Sequence, residues 1–477
     1  MIDIKMRWKD NRMINTMKNV LFIHAHEKDK VIFFSSISKF LNKKGLNTMH
    51  LAFRRLEKEV YKKCGIYNVE FMPKVLKNYS NELSISDQWK FNIEEILSYT
   101  IQFNDLNNYK YDREELYNNI KRYINYLNDL HHTYKIDLII TWNDTFMFDR
   151  AAKQFAKCNN ISLAMFEAGI FRPYTITIDS QGINYGNSVP QDPEFYKQIE
   201  FDEKKLEYLF SDLMETDQNQ LFSIRVPKLK KFYLKERIQD KLHVDFLKDE
   251  IKLEIIFESL YQKVKKNITK KFNLWTLNDN FSSEKLPQKF IFVPFQVHDD
   301  SQIILNSPKI KDMEQLVEII NKGVSKLNQN CKEKYYVIFK EHPADFGRVD
   351  YSELYQKYKD QDHLIFLKNG NTNELIRKCD LVITINSTVG IEALKSYKPV
   401  ITLGNAYYNI EGIVHPCLNL DQLHQVIKNA LDKEVNKELI TKFLYYLRFN
   451  YQIEGDWRQG KFNYRQLGKK LNLITEK

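Results

Sequence analysis

The stretch FEAGIFRPYTITIDSQGINYGNSVPQDPEFY, residues 166–196, sets Glu167 at the end of an apolar run and follows it with turn residues and polar groups. Burying a carboxyl at a strand end costs free energy unless the group is paired or used, so this segment reads as the lining of a site. Farther along, NSTVG (386–390) precedes the helical pattern IEALKSY. Asn, Ser and Thr there form an N-cap signature. The same geometry, with free amides, a positive helix end and two hydroxyls, suits a phosphate, and Ser387 and Thr388 are the candidates. FKEHPAD puts His342 just past a strand, with Pro343 fixing the backbone that follows. Such a histidine is either a structural hydrogen-bonder or a donor that offsets charge on a departing phosphate. In QVHDDSQ (296–302), Gln296, Asp300 and Ser301 are candidates for reading a base or ribose, while Asp299 or Asp300 fits equally as a helix cap.

These residues need elements to hold them. NVLFIHA (19–25), an apparent helix VIFFSSISKFLNKKG and a second strand LNTMHLAF read as strand, helix, strand, with Gly45 placed to stop the helix. Residues 83–135 carry helical spacing. The alternation resumes with strand IDLIITW, helix TFMFDRAAKQFAKC and strand ISLAMFE. From residue 289 it restarts, with strands at KFIFVPF, KYYVIFK, HLIFL, LVITI and PVITLG and helices near 311–328, 372–379, 389–397 and 420–432. Fully apolar strands alternating with helices imply parallel sheets covered on both faces. The expected fold class is therefore α/β, with two Rossmann-like, doubly wound lobes facing a central cleft. The boundaries predicted are 1–199 for the first lobe, 200–284 for a helical bridge, 285–435 for the second lobe and 436–477 for a helical tail returning to the first. In such sheets ligands sit outside the carboxyl ends of strands, where Trp142 and Asn143, Glu167, 296–302, 341–343 and 386–390 all fall.

Bulk properties bound the function. A chain of 477 residues with 43% hydrophobic and 13% aromatic content can build more than one core. The net charge of +10 suits an anionic ligand or a membrane surface, or simply basic solvated faces. Five scattered cysteines without C-x-x-C spacing read as buried thiols of a reducing compartment. No signal-peptide pattern opens the chain and no apolar run is long enough to span a bilayer, so a cytoplasmic location is expected. The single D-x-D, DQD at 360–362, lies in a charged loop before a strand, on the wrong edge, so no metal is expected. Walker A and G-x-G-x-x-G patterns are absent, which disfavours ATP hydrolysis and dinucleotide chemistry.

The order FEAG, RP, ITID, GIN, DPEFY, then VPFQVHDDSQI, KEHP and NSTVGIEAL resembles the capsule polysaccharide synthesis family, the retaining β-Kdo glycosyltransferases, over about residues 135–415. The acid–Gly, His–Pro and Ser/Thr set is also similar to the motifs of bacterial sialyltransferases. The resemblance implies a GT-B fold with the acceptor lobe first, a CMP-Kdo donor, no further cofactor, and a lipid or Kdo-terminated glycolipid acceptor. It implies that His342 and Pro343, with Ser387 and Thr388, contact the CMP phosphate. The family's acidic motif often has two acids before glycine; here Glu167 is followed by Ala168 and Gly169, so the second acid is missing.

Retention at an anomeric carbon generally takes two displacements, with one carboxylate as nucleophile and a base for the acceptor hydroxyl. Glu167 and Asp179 are the carboxylates available to share those tasks, with Glu167 favoured for direct catalysis. Arg172 fits the carboxylate of Kdo, or an internal salt bridge with Asp179 or Asp192. Asn143 and Asn184 are candidates for sugar hydroxyls. RVPKLKKFYLKERIQDKL (225–242) and KVKKNITKKF (263–272) interleave lysines with apolar residues. They read as solvated helix faces, or as a peripheral contact with the anionic inner face of the cytoplasmic membrane. Other capsule assembly proteins are expected partners, and nucleic acid is not. Two further readings stay open: a CDP-polyol phosphotransferase of the teichoic-acid type, and a non-catalytic glycan- or nucleotide-binding protein of capsule assembly.

Overall fold

The structure, a computed structural model, describes residues 18–23, 27–211, 213–214, 218–229, 233, 235–240, 249–259, 262–263, 267 and 286–472. In the first lobe, β1 (Asn19–Ile23), β2 (Asn47–Ala52), β3 (Val69–Phe71), β4 (Leu138–Trp142) and β5 (Ser162–Ala168) pair in parallel in the order β3-β2-β1-β4-β5. Successive side chains of a strand point to opposite faces, so a run apolar at every position must bury both. That is why Leu21 and Ile23 enter one core while Val20 and Phe22 enter the other. The helix Lys28–Lys43 covers one face and ends where Gly45, at φ +85°, donates its amide back to Asn42 O. The helices Ile93–Leu106, Arg113–Tyr134 and Met147–Cys158 supply buried residues to the core on the other face.

The second lobe repeats the plan. β8 (Phe290–Pro294), β9 (Tyr336–Lys340), β10 (Leu364–Leu367), β11 (Leu381–Thr384), β12 (Val400–Thr402) and β13 (His415–Pro416) form an all-parallel sheet in the order β10-β9-β8-β11-β12-β13. Each sheet therefore reverses its winding once, between β1 and β4 and between β8 and β11, the position at which such folds open a binding crevice. The α/β organisation in two doubly wound lobes expected from the strand pattern, and the GT-B-like arrangement that the resemblance implied, are the ones observed.

Two features depart from expectation. The segment after β5 contains a further strand, β6 (Thr175–Asp179), antiparallel to β5 with Glu167 opposite Thr177 and Met165 opposite Asp179. The tail, expected to be helical, begins with the helix Lys437–Tyr445 on the second lobe and returns to the first as β14 (Gln452–Asp456) and β15 (Lys461–Asn463), followed by the helix Tyr464–Lys470. β14 pairs with the free edge of β6, and β15 with β7 (Leu221–Phe222). The pairing satisfies backbone groups that β6 would leave open and buries Ile453 and Phe462. Gly460, at φ +66°, turns the hairpin between β14 and β15.

Of the expected helical bridge, the described residues include the short helix Glu203–Tyr208, the strand β7 and the run 249–259, which has no helix and lays Ile255 into the first core. Most of 263–272 and part of 225–242, the basic stretches, lie outside the described residues. The five cysteines are free thiols; Cys64, Cys379 and Cys417 are buried, but Cys158 is exposed and Cys331 half-buried, against the expectation that all five are core residues.

Candidate functional site

At the carboxyl edge of the first sheet, Asn143 takes a left-handed conformation, φ 76°, immediately after β4. Asparagine tolerates that conformation because its short amide can bond locally. Here its Oδ1 accepts from Asp144 N at 2.6 Å and from the Thr145 hydroxyl, and its own N–H donates to Phe166 O. So held, its Nδ2 donates to Glu167 Oε2 at 3.0 Å, while Ala168 N donates to Glu167 Oε1 at 2.8 Å. Asn143, a candidate for sugar hydroxyls, is thus placed to orient Glu167. Burial pushes the Glu167 carboxyl above the ordinary range; the Ala168 amide, Lys30, Asn143 and Arg172 pull it partly back. Lys30 also stands over the Trp142 ring, 5.2 Å from its centroid.

Asp179 is placed differently. Its side chain is on the same face as Glu167 but two residues back from the edge, and the residue is only 3% exposed. Oδ1 accepts from Gln181 N and Gly182 N; Oδ2 accepts from Ser188 N, Ser188 Oγ and Tyr451 OH, at 2.6–3.1 Å. Five donors occupy both oxygens, so the carboxylate pins the 180–189 loop to the tail and has no lone pair free for a substrate. Asp179, expected to share the catalytic tasks with Glu167, is thus held by the protein's own donors. Asn184 lies within that loop, its carbonyl accepting from Asn187 N.

Arg172 is exposed and makes no ion pair among the described residues; Asp192, one of its expected partners, caps the helix Pro193–Lys197 instead. Its charge acts both on Glu167 of the first lobe and on Glu392 of the second, lowering each against the upward push of burial. The neighbouring Phe171 packs into the second lobe's core, with Lys395 Nζ 4.3 Å over its ring, so this segment lies at the junction of the lobes.

On the second sheet the winding reversal is bridged by Gln296. Its Nε2 donates to Asn386 Oδ1 at 3.0 Å and its Oε1 accepts from Asn386 N at 3.0 Å. Both amide ends are spent on the 386–388 turn, so Gln296 shapes that turn and does not face a base. Ser387 Oγ accepts from Val389 N at 3.2 Å, and Thr388, exposed, makes no side-chain cap bond. His342 Nδ1 accepts from Ala344 N at 3.1 Å, which leaves Nε2 carrying the hydrogen of the neutral ring. Burial lowers its pKa, with Lys340 adding to that and Asp345 opposing, so the neutral donor form is favoured. Pro343 opens the single turn Pro343–Asp345. Asp300 caps the helix Ser301–Asn306 by accepting from Gln302 N at 2.9 Å, and Ser301 Oγ faces Asp300 at 3.4 Å. The capping alternative for Asp300 is thus the one the structure holds.

Several residues escaped sequence reasoning. Asp345, fully buried, accepts from the His298 amide at 3.0 Å, sits 2.8 Å from His298 Nδ1 and accepts from Tyr351 OH at 3.2 Å. The His298 ring beyond β8 thus shares that carboxylate with Tyr351, while Asp345 N donates to His342 O beyond β9. Asp299 joins the lobes, accepting from Asn107 Nδ2 at 3.0 Å and from the Arg348 guanidinium. His298, Asp299 and Asp345 lay within quoted motifs, but their pairing spans 47 residues or more and has no local signal. Lys30 and Glu392 lay in ordinary helix patterns. Among the described residues no cluster of three His, Cys, Asp or Glu side chains is arranged to hold a metal, and no helix is long and apolar enough to cross a membrane.

The family described as capsule polysaccharide biosynthesis protein matches residues 137–457, from β4 to the 3-10 turn after β14. The chain belongs to that family. Its members here include the Escherichia coli capsule polysaccharide export protein KpsS, 26% identical over 342 residues that cover 71% of this chain and 83% of that protein. The capsule polysaccharide modification protein LipB of Neisseria meningitidis serogroup B is 25% identical over 287 residues, 58% and 66% of the two chains. Among solved structures, Thermosulfurimonas dismutans KpsC, titled a beta Kdo 2,7 transferase, aligns over 82% of this chain and 97% of its own, with 14% identity and a TM-score of 0.35. The capsule polysaccharide biosynthesis family is the one to which the motif order pointed.

Proposed function

We propose that this protein is a glycosyltransferase of capsule polysaccharide biosynthesis that moves Kdo from CMP-Kdo to a lipid or Kdo-terminated acceptor with retention. The observation that carries the reading is Glu167: a half-buried carboxyl raised by burial and gripped by one amide on each oxygen at the carboxyl edge of the first sheet. A carboxylate deprived of water is both a stronger base and a stronger nucleophile. In the first displacement it attacks the anomeric carbon, the bond to the CMP phosphate breaks, and CMP departs with the electron pair. His342 Nε2–H and the Ser387 and Thr388 hydroxyls receive that phosphate, and Arg172 holds the sugar carboxylate. Asp179 serves as a positioning residue. In the second displacement the acceptor oxygen attacks the anomeric carbon, the bond to Glu167 breaks and returns its carboxylate, and Glu392, a second carboxyl raised by burial and reached by the Arg172 charge, takes the acceptor's proton. The location proposed is the cytoplasm, at the inner membrane face when the acceptor is a lipid, alongside other capsule assembly proteins.

The test is incubation with CMP-Kdo and a panel of lipid and Kdo-terminated acceptors, following CMP release. Turnover that survives Glu167→Gln removes the acid from the mechanism. One observation favours a second reading: with Asp179 fully engaged, a single free acid remains on the first lobe, which suffices for a direct phosphotransfer from a CDP-polyol. Turnover of CDP-glycerol or CDP-ribitol without turnover of CMP-Kdo selects that reading. CMP binding with no turnover of either donor selects a binding role.

A further inference from the structure

Beside β14 of the first sheet lies a cavity of about 270 Å³. Its walls include Phe449, Asn450, Gln452, Gln466, Lys469 and Lys470, and among the described residues no carboxylate lines it. Gln452 begins β14 and points to the same face as Glu167: Gln452 pairs with Thr177, which pairs with Glu167, and its Nε2 donates to Thr177 Oγ1 at 2.9 Å. Two strand spacings, about 10 Å, thus separate the cavity wall from the candidate acid.

The other end of that amide is unsatisfied. Gln452 is 2% exposed, and its Oε1 has no hydrogen-bond partner. A buried acceptor without a donor costs free energy and keeps this wall of the cavity polar. Beside it Lys470 sits against the Tyr451 ring, 5.5 Å from the centroid, and burial holds its amine down at about 8 despite the Asp179 charge nearby. An anion in the cavity would favour the charged amine. The amides of Asn450, Gln452 and Gln466 offer the mixed donors and acceptors that hydroxyl groups need, and Phe449 supplies an apolar flank. The volume lies just under the usual range for small-molecule sites, about 300–1,000 Å³, and suits a sugar ring better than a nucleotide.

We propose that this cavity is a second saccharide site, specific for a sugar that carries a carboxylate. Lys469 and Lys470 meet the carboxylate, the rim amide of Asn450 meets a ring hydroxyl, and the ring lies along Phe449. The site stands on its own lining and requires no turnover at the cleft; its position beside the Glu167 row makes it a holding point for an acidic glycan already built.

The experiment is isothermal titration of the full chain with D-glucuronate and with Kdo, against D-glucose and inorganic phosphate, in the presence and absence of saturating CMP. Binding of both acidic sugars that persists with CMP present, with glucose and phosphate about tenfold weaker or worse, is expected. Lys470→Met should weaken the acidic sugars about tenfold. Because that side chain is partly buried, the rim pair Asn450→Ala with Lys469→Ala provides a variant that leaves the core intact, and it should weaken them similarly, while His342→Ala leaves them unchanged. Equal affinity in the rim variant, equal affinity for glucose, or binding of phosphate alone overturns the proposal. Failure of CMP itself to bind would count against the donor site only, so the two outcomes separate.

Discussion

The two sheets share one winding and differ in what they hold at the carboxyl edge. The first places a carboxyl, Glu167, where burial raises its pKa and only two amides bond it. The second places neutral donors: a histidine with its tautomer set by Ala344 N, a serine and threonine at a turn, and a glutamine whose amide is fully spent on shaping that turn. One edge is energetically unfavourable in the resting protein and suited to making and breaking bonds. The other is satisfied in advance and suited to receiving a leaving phosphate without rearrangement. The contrast extends to the sheets themselves, since the all-parallel second sheet is complete within 290–416, whereas the first borrows β14 and β15 from the end of the chain.

The sharpest break in this contrast is Glu167→Gln. It should lower turnover by about 10³-fold or more while CMP affinity changes by less than twofold, measured by CMP release and by titration. The same variant should gain stability at high pH. The folded Glu167 carboxyl is raised, so between the ordinary carboxylate value and the raised one the folded state holds a proton that the unfolded state has lost. Stability conferred by the protonated group is therefore present at low pH and lost as pH rises through the folded value. Melting curves at pH 5 and pH 8 should show the variant's advantage growing toward pH 8. An advantage that shrinks instead would mean the carboxylate is stabilised where it sits.

On the opposite edge His342→Ala should cost about 10²-fold in turnover, chiefly through loss of a donor at the phosphate. Its signature is a matched loss of CMP affinity, with a melting temperature that improves relative to the parent only toward acid pH, because a histidine kept neutral by burial costs stability as pH falls below the ordinary imidazole value. If both variants behaved alike, the division of labour between the lobes would be wrong.

Asp179→Asn probes the same face of the first sheet as Glu167 with the opposite expectation. Removing the charge weakens the bonds from Ser188 N, Ser188 Oγ and Tyr451 OH, a loss of about 3 kcal/mol in stability. Melting temperature should fall, and turnover should fall only as far as the 180–189 loop loosens. A variant of normal stability with abolished turnover would return Asp179 to a direct catalytic role.

These paired acids also show what a sequence can disclose. The parallel strands were legible because each is apolar at successive positions, as in LIITW and FIFVP, and such runs bury on both faces. The site edges followed, since polar clusters after parallel strands must fall at one end. TITID was not legible as a strand: it is short, alternating and set among turn residues. The pairing of β14 was hidden for another reason, because its partner, the open edge of β6, lies more than 270 residues away in the chain. Asp179 counted as an available carboxylate behind the favoured Glu167 because residue types reveal a carboxyl and not how many donors reach it. Gln296 misled in the same way, its partner Asn386 being 90 residues distant.

The mildest test concerns how the two edges are held together. Asn107 Nδ2, from the first lobe, reaches Asp299 Oδ2 at 3.0 Å, and Asp299 is one residue from His298, whose ring is 2.8 Å from Asp345. Asn107→Ala removes one hydrogen bond to a carboxylate that the Arg348 guanidinium still pairs, so the charge is not left bare. Stability should drop by about 1 kcal/mol and CMP affinity should hold. Turnover should fall about threefold, because chemistry needs the first edge to meet the second while nucleotide binding needs only the second. Loss of CMP affinity along with turnover would show that the donor site itself depends on the first lobe, and the two edges could then no longer be treated as separate instruments.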